Sequence, residues 1–216
     1  MEIFLIRHGH AAGNPYEEPD YPAAGYLSLD GESQAELLRE ELRDYDISLI
    51  WTSKLGRALR TAAVALDHRQ IPLRHFAFLN EWMPNKETRN LDSAEWEKMN
   101  ASAGSWEAEE TWKTELGEGC LDFLARVGPP FLKELATVGV HARHGGFQIS
   151  EEAENLRLAV VAHGGTLSAL LGFLLGLPPF PVGGFNFQLT SVAQLHFKKQ
   201  GSVSYPQLVI PAHHLK

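Results

Sequence analysis

Among its 216 residues the sequence has one cysteine, Cys120, so no disulfide can close within the chain, which fits a reducing compartment. It has no long hydrophobic run. The longest, around Leu167 to Leu177, is interrupted by Ser168, Gly172 and Gly176 and is too short to span a bilayer. It is short of positive charge, with 19 Lys and Arg against 27 Asp and Glu and a formal charge of -8. That balance argues against a broad nucleic-acid or anionic-membrane surface, which needs an excess of basic residues. The N-terminus reaches Arg7 after four apolar residues, without the basic and apolar stretches of a signal peptide. Internal repeats and low-complexity tracts are missing too. These gaps describe a soluble, cytoplasmic protein that engages neither nucleic acid nor membrane.

What is present is an ordinary globular composition, 44% apolar and 21% charged. Length divided by about 150 gives roughly one and a half domains, meaning one large domain or one domain with an insertion. Ile3 to Ile6, Ile47 to Trp51, Leu73 to Leu79 and Leu158 to Ala162 are short apolar runs that read as buried strands. Between them lie helical spacings. One is expected over Glu32 to Asp44, with Asp30 as a cap. A second carries Leu55, Ala58, Leu59, Ala62, Ala63 and Leu66, and a third starts near Glu118. Pro129-Pro130 should break or kink the third. A further apolar helix follows His163, and residues 139 to 156 read as an exposed loop.

Two late strands, Ser191 to Phe197 and Ser202 to Ile210, complete the pattern, with Pro206 placing the second at a sheet edge. Alternating strands and helices predict an α/β fold: a three-layer α/β/α sandwich on a mostly parallel central sheet, with late antiparallel edge strands. Residues 82 to 117 hold four of the five tryptophans, Trp82, Trp96, Trp106 and Trp112, and no strand pattern. They are expected to form a helical, cap-like insertion in a single domain spanning residues 1 to 216, the tryptophans packing that insertion.

Two sites share one grammar, an apolar strand that ends in His and then Gly: Leu5-Ile6-Arg7-His8-Gly9 and Val161-Ala162-His163-Gly164-Gly165. In an open α/β sheet, ligands bind beyond the carboxyl ends of the strands, so both histidines fall where a ligand is expected. Glycine after each lets backbone approach closely, and the helix after His163 should aim free N–H groups at an anion. Arg7 supplies a permanently charged planar fork, and Arg57, in the first turn of its helix, points toward the same sheet edge. Glu81 closes the third strand with a carboxyl group. The residues converge on an anion pocket containing two imidazoles.

Arg7-His8-Gly9, Asn14, Leu29-Asp30-Gly31, the block Ser53, Leu55, Arg57, Ala58, Thr61 and Ala62, then Leu79 with Glu81, Gly117-Glu118 with Phe123 and Arg126-Val127, and Val161 to Gly165 stand in one order along the chain. In that order they resemble the histidine phosphatase superfamily, also called the phosphoglycerate mutase-like family. The resemblance implies a metal-independent phosphatase that needs no cofactor and acts on a small phosphomonoester. His8 would form a covalent phosphohistidine, and Glu81 would act as general acid and base. Arg7, Arg57 and His163 would hold the phosphoryl oxygens, with Asn14 and the Gly164 N–H completing the cradle. The guanidiniums are expected to lower the His8 pKa and keep it neutral.

Departures from the family pattern are His10, where an acidic residue often follows Gly9, Arg60 in place of a usual Gln, and Trp82-Met83-Pro84 after Glu81. The last of these differs from the cofactor-dependent mutases and favours a phosphatase. A mutase-type phosphotransferase, or an inactive member that only binds a phosphorylated ligand, are the alternatives. The pairs His141 with His144 and His213 with His214 read as exposed loop and tail residues, since no further ligand completes a metal set at the usual spacing. The oligomeric state stays open, a dimer included.

Overall fold

The computed structural model describes residues 1–12, 26–66, 70–85, 94–95, 97–98, 101, 115, 117–178 and 184–210. Its framework is one eight-stranded sheet. In chain order the strands are β1 (Glu2–Arg7), β2 (Leu49–Ser53), β3 (Leu73–Phe76), β4 (Val140–Arg143), β5 (Gly146–Ile149), β6 (Arg157–Ala162), β7 (Val192–Gln200) and β8 (Val203–Val209). They are arranged β3-β2-β6-β1-β7-β8-β5-β4. The first four in that spatial order are mutually parallel, and β7, β8, β5 and β4 add antiparallel pairings. Among the described residues four α-helices cover it: α1 (Leu29–Glu41), α2 (Gly56–Leu66), α3 (Cys120–Thr137) and α4 (Gly164–Leu174).

Strand alternation explains the layers, because successive side chains point to opposite faces. Ile3, Leu5, Trp51, Leu158 and Val160 pack on one face against Phe123, Val127 and Phe131 of α3 and Leu167, Leu170 and Leu171 of α4. Phe4, Ile6, Ile50, Ala159 and Val161 pack on the other against Leu38 of α1 and Ala58, Ala62 and Leu66 of α2. Burial on both faces is why β1 and β6 are continuous apolar runs rather than alternating ones. Each fully buried aliphatic or aromatic side chain contributes about 1.5–3 kcal/mol to that core.

Several local expectations need correction. The segment 139 to 156 contains the hairpin β4–β5, turning through His144 and Gly145, whose φ values are both positive at 52° and 75°. Such a two-residue turn matches the twist of its strands. Pro129 and Pro130 do not interrupt α3. Their local cost, about 3 kcal/mol or more for an interior proline, is outweighed by burying Phe123 and Val127 before them and Phe131 and Leu135 after them along one face. Helix α1 starts earlier than expected. Ser28 caps it by accepting the Gly31 N–H at 3.1 Å, while Asp30 lies in the first turn, where a carboxylate suits the positive helix end.

At the third strand, β3 ends at Phe76 and a 3-10 turn, Ala77–Leu79, takes over. Strand β8 is not an edge: β5 follows it, joined through Phe147 and Ser204, and Pro206 lies outside that pairing. Most of the expected 82–117 insertion, with Trp96, Trp106 and Trp112, lies outside the described residues, as does Asn14. No helix among the described residues is long and apolar enough to cross a membrane.

Candidate active site

The four parallel strands deliver their carboxyl ends to one edge of the sheet. Arg7 at the end of β1 is in register with Ala162 at the end of β6, so His8 and His163, one residue further on, become neighbours. Their ring centroids are 4.9 Å apart. Ser53 ends β2 beside them, and Asn80 and Glu81 follow the 3-10 turn after β3.

His8 is 7% exposed and held on both ring nitrogens. Nδ1 lies 2.6 Å from the Gly9 carbonyl oxygen, an acceptor only, so Nδ1 carries the proton and Nε2 the lone pair. Arg57 donates its Nε–H to that lone pair at 3.2 Å. The loop is pinned by the Gly9 N–H, which donates to Thr61 Oγ1 at 3.0 Å, while the Thr61 hydroxyl donates to the Arg57 carbonyl at 2.7 Å. Burial pulls the His8 pKa down to about 3, opposed by the hydrogen bond to Gly9 and helped by Arg57, Arg7 and His10. The sequence pointed to the guanidiniums as the cause of neutrality; desolvation is the larger one.

His163 is fully buried. Its Nε2 is 2.8 Å from Ser53 Oγ, and burial, reinforced by Arg57, His8 and Arg7, holds its pKa well below the ordinary histidine value. Arg57 is only 3% exposed, and among the described residues neither it nor Arg7 is in an ion pair. Arg7 donates from Nη1 to the Phe187 carbonyl at 2.6 Å. Three buried nitrogens of these residues have no hydrogen-bond partner: Arg7 Nε, Arg57 Nη1 and His163 Nδ1. Buried cations are normally paired, and buried donors are normally satisfied. Two guanidiniums without a carboxylate, each with an unspent donor (Arg7 Nε and Arg57 Nη1) beside a neutral imidazole, make a site that can receive an oxyanion.

Glu81 is anchored on the first turn of α4. Its carboxylate accepts the N–H groups of Gly165 at 3.2 Å and Thr166 at 3.1 Å, and that of its own neighbour Trp82 at 2.9 Å. The Thr166 hydroxyl donates to the Asn80 carbonyl at 2.8 Å. The helix start therefore does not present all its N–H groups to an external anion, as the sequence led one to expect. Gly164 remains beside Arg7: a side chain there would begin 3.5 Å from the guanidinium carbon. His10 sits at the rim, its N–H on Gln34 Oε1 and its Nδ1 2.8 Å from Ser28 Oγ.

The sequence thus anticipated the grouping of Arg7, His8, Arg57, His163, Gly164 and Glu81 at one sheet edge. It did not assign roles to Ser53, Thr61, Asn80 or Thr166. Ser53 alone accepts the Leu55 N–H, contacts His163 and donates to Asn80 Oδ1, a junction that only the folded arrangement of three strands creates.

This fold and site define a class of phosphoryl-handling proteins, and the chain belongs to the histidine phosphatase superfamily, branch 1, whose family model matches residues 3–205. Among curated proteins it is similar to "Probable phosphoglycerate mutase GpmB" of Yersinia enterocolitica, 27% identical over 200 residues, covering 92% of this chain and 86% of the relative. Among solved structures it resembles an Escherichia coli K-12 protein provisionally assigned as an alpha-ribazole-5'-P phosphatase, at 25% identity and a TM-score of 0.68, covering 97% of this chain and 96% of the other. It shares the fold of a mycobacterial glucosyl-3-phosphoglycerate phosphatase, at 24% identity and a TM-score of 0.67, covering 97% of both chains.

Proposed function

We propose that the protein is a metal-independent phosphatase that hydrolyses small phosphomonoesters through a phosphohistidine on His8. The observation that carries this reading is the neutral, tautomer-fixed imidazole of His8, bonded by the buried guanidinium of Arg57 and close to that of half-buried Arg7, neither of which has a carboxylate partner among the described residues. An imidazole with its lone pair on Nε2 is a nucleophile at any pH where it stays unprotonated.

In the first step Nε2 attacks phosphorus, an N–P bond forms, and the P–O bond to the leaving group breaks. The leaving oxygen takes the bond's electron pair and a proton from the Glu81 carboxyl group. Arg57, released from Nε2, turns its N–H groups to the phosphoryl oxygens, alongside Arg7 and the Gly164 N–H, where negative charge accumulates in the transition state, and His163 joins them through Nδ1 once it holds a second proton. Asn14 would add a further donor. In the second step water attacks the phosphohistidine and gives its proton to the Glu81 carboxylate. The N–P electrons return to Nε2, inorganic phosphate leaves, and both residues are restored. Two arginines supply the charge neutralisation that Mg²⁺ provides in other phosphoryl-transfer enzymes.

The relatives carrying a mutase name favour a second reading, in which the phosphoryl group returns from His8 to an organic acceptor instead of water. One experiment separates the two. Enzyme is mixed with ³²P-labelled phosphomonoester and quenched in base. A base-stable, acid-labile phosphoenzyme absent from His8→Asn, with stoichiometric inorganic phosphate in the wild type, is expected. Label appearing in an isomerised ester instead would establish the mutase, and turnover unaffected by His8→Asn would overturn both. EDTA is expected to leave activity intact.

A further inference from the structure

Arg126, on the second turn of α3, spends all five of its N–H groups within the protein. Nε and Nη2 donate to the two carboxylate oxygens of Glu118 at 2.5 and 2.8 Å. Nη1 donates to the carbonyls of Phe78 and Asn80, both at 3.1 Å, and Nη2 to the carbonyl of Glu81 at 3.2 Å. The guanidinium also lies 4.9 Å from the Phe123 ring centroid. With five donors committed, none is left for a substrate.

The three carbonyls belong to the stretch that leaves the 3-10 turn and carries Glu81. That stretch has left β3 and has no strand partner for those groups, which Arg126 satisfies instead. Glu118 holds the other side. Its Oε2 accepts the Met83 N–H at 3.2 Å, its carbonyl accepts the Trp82 indole N–H at 2.8 Å, and the preceding Gly117 bridges Pro84. The backbone is thereby clamped before, at and after Glu81. The carboxylate of Glu81 is in turn delivered to the N–H groups of Gly165 and Thr166.

We propose that Arg126, held in orientation by Glu118, is a positioning residue for the reaction: it sets the Glu81 carboxyl group at the distance from the leaving oxygen that proton transfer requires. The proposal rests on the reading of Glu81 as the general acid. A planar fork making five bonds gives a rigidity that an ammonium point charge does not reproduce. Loosening it should cost proton transfer while leaving phosphate binding and the nucleophile in place, since Arg126 bonds to neither.

The test compares two substrates that share a phosphoryl group, p-nitrophenyl phosphate, whose leaving group departs without a proton, and 2-glycerol phosphate, whose alkoxide does not. kcat/KM is measured for both, because it reports events up to phosphoryl transfer to His8. Arg126→Lys and Glu118→Gln are expected to lower kcat/KM for 2-glycerol phosphate by about 10-fold or more, part of the roughly 10²–10⁴ that a general acid contributes, with less than about a 3-fold change for p-nitrophenyl phosphate. Glu118→Gln keeps the size and acceptor oxygen of the native side chain, so it carries the test should Arg126→Lys fail to fold. Equal losses on both substrates, or none on 2-glycerol phosphate, would overturn the proposal. Glu81→Gln is run in parallel. If it discriminates between the substrates while the Arg126 and Glu118 variants do not, positioning fails and the acid assignment stands. If it does not discriminate, the acid assignment fails and the proposal with it.

Discussion

Arg57 donates its Nε–H to Nε2 of His8, the ring nitrogen left unprotonated by the 2.6 Å contact between Nδ1 and the Gly9 carbonyl. A cation on one side and a carbonyl on the other hold the imidazole in one tautomer, and burial removes the water that would stabilise its charged form. The protein therefore keeps His8 neutral by position rather than by the pH of its surroundings.

The first consequence is thermodynamic. Below a pH of about 6.5 the unfolded chain binds a proton on His8 that the folded protein refuses until about pH 3. The unfolded state thus holds more protons across that window. Stability is full above the window and falls as the pH drops through it, by at most about 1.4 kcal/mol per pH unit from this residue. His163 acts with the same sign. Urea unfolding of wild type and His8→Asn should show a stability difference that shifts steadily against the wild type from about pH 7 to about pH 4.5. Parallel profiles would contradict the neutral, buried imidazole.

The second consequence is kinetic. As the proposed nucleophile, a His8 that protonates only near pH 3 cannot set an acid limb near the ordinary histidine value. kcat/KM for p-nitrophenyl phosphate should therefore show no inflection near about pH 6.5 on the acid side attributable to His8. Because burial is the largest cause and Arg57 a smaller one, Arg57→Gln should lower kcat/KM by about 10²-fold or more without moving the His8 limb up to neutrality. A limb that jumps to about pH 6.5 in Arg57→Gln would make charge, not burial, the controlling term.

Much of this was legible in the chain because burial on both faces leaves a strong trace. Strands β1 and β6 are continuous apolar runs that stop abruptly at His8-Gly9 and His163-Gly164, and Arg57 could be aimed from the apolar face of α2. Where the local signal is weak or is overruled, the sequence reads poorly. Hairpin β4–β5 has a mostly exposed outer strand and so little hydrophobic pattern. Pro129 and Pro130 obey packing rather than the usual proline rule. The anchoring of Glu81 on α4 spans 84 and 85 positions, and the three carbonyl bonds of Arg126 span 45 to 48. No spacing along the chain encodes such bonds.

Thr61 offers a test of the loop that carries His8. Its hydroxyl oxygen accepts the buried Gly9 N–H and its proton goes to the Arg57 carbonyl. Thr61→Val keeps the shape but leaves the Gly9 N–H unsatisfied, so unfolding free energy should fall by about 1–3 kcal/mol, and Thr61→Ser should recover most of it. Activity should fall with Thr61→Val as well, because the Gly9 carbonyl that fixes the His8 tautomer belongs to the same pinned residue. A Thr61→Val protein with unchanged denaturant midpoint and activity would show the loop is held by other contacts.

Two glycines of α4 should respond oppositely to alanine. A side chain at Gly165 would begin 2.7 Å from Glu81 Oε1, so the carboxylate must move off the helix start. At Gly172 the added carbon would meet only Leu177, at 4.0 Å, an ordinary contact. Gly172→Ala should raise stability by about 0.5–1 kcal/mol, the usual gain in a helix interior, with turnover unchanged. Gly165→Ala should lower stability, by up to about 1–3 kcal/mol, because the Gly165 and Thr166 N–H groups lose their carboxylate acceptor, and should lower kcat/KM for 2-glycerol phosphate by about 10-fold or more. Thermal melts and steady-state kinetics on the two variants separate the effects. If Gly165→Ala retained full activity on the alkyl ester, the position of Glu81 on α4 would not be the one that matters for proton transfer.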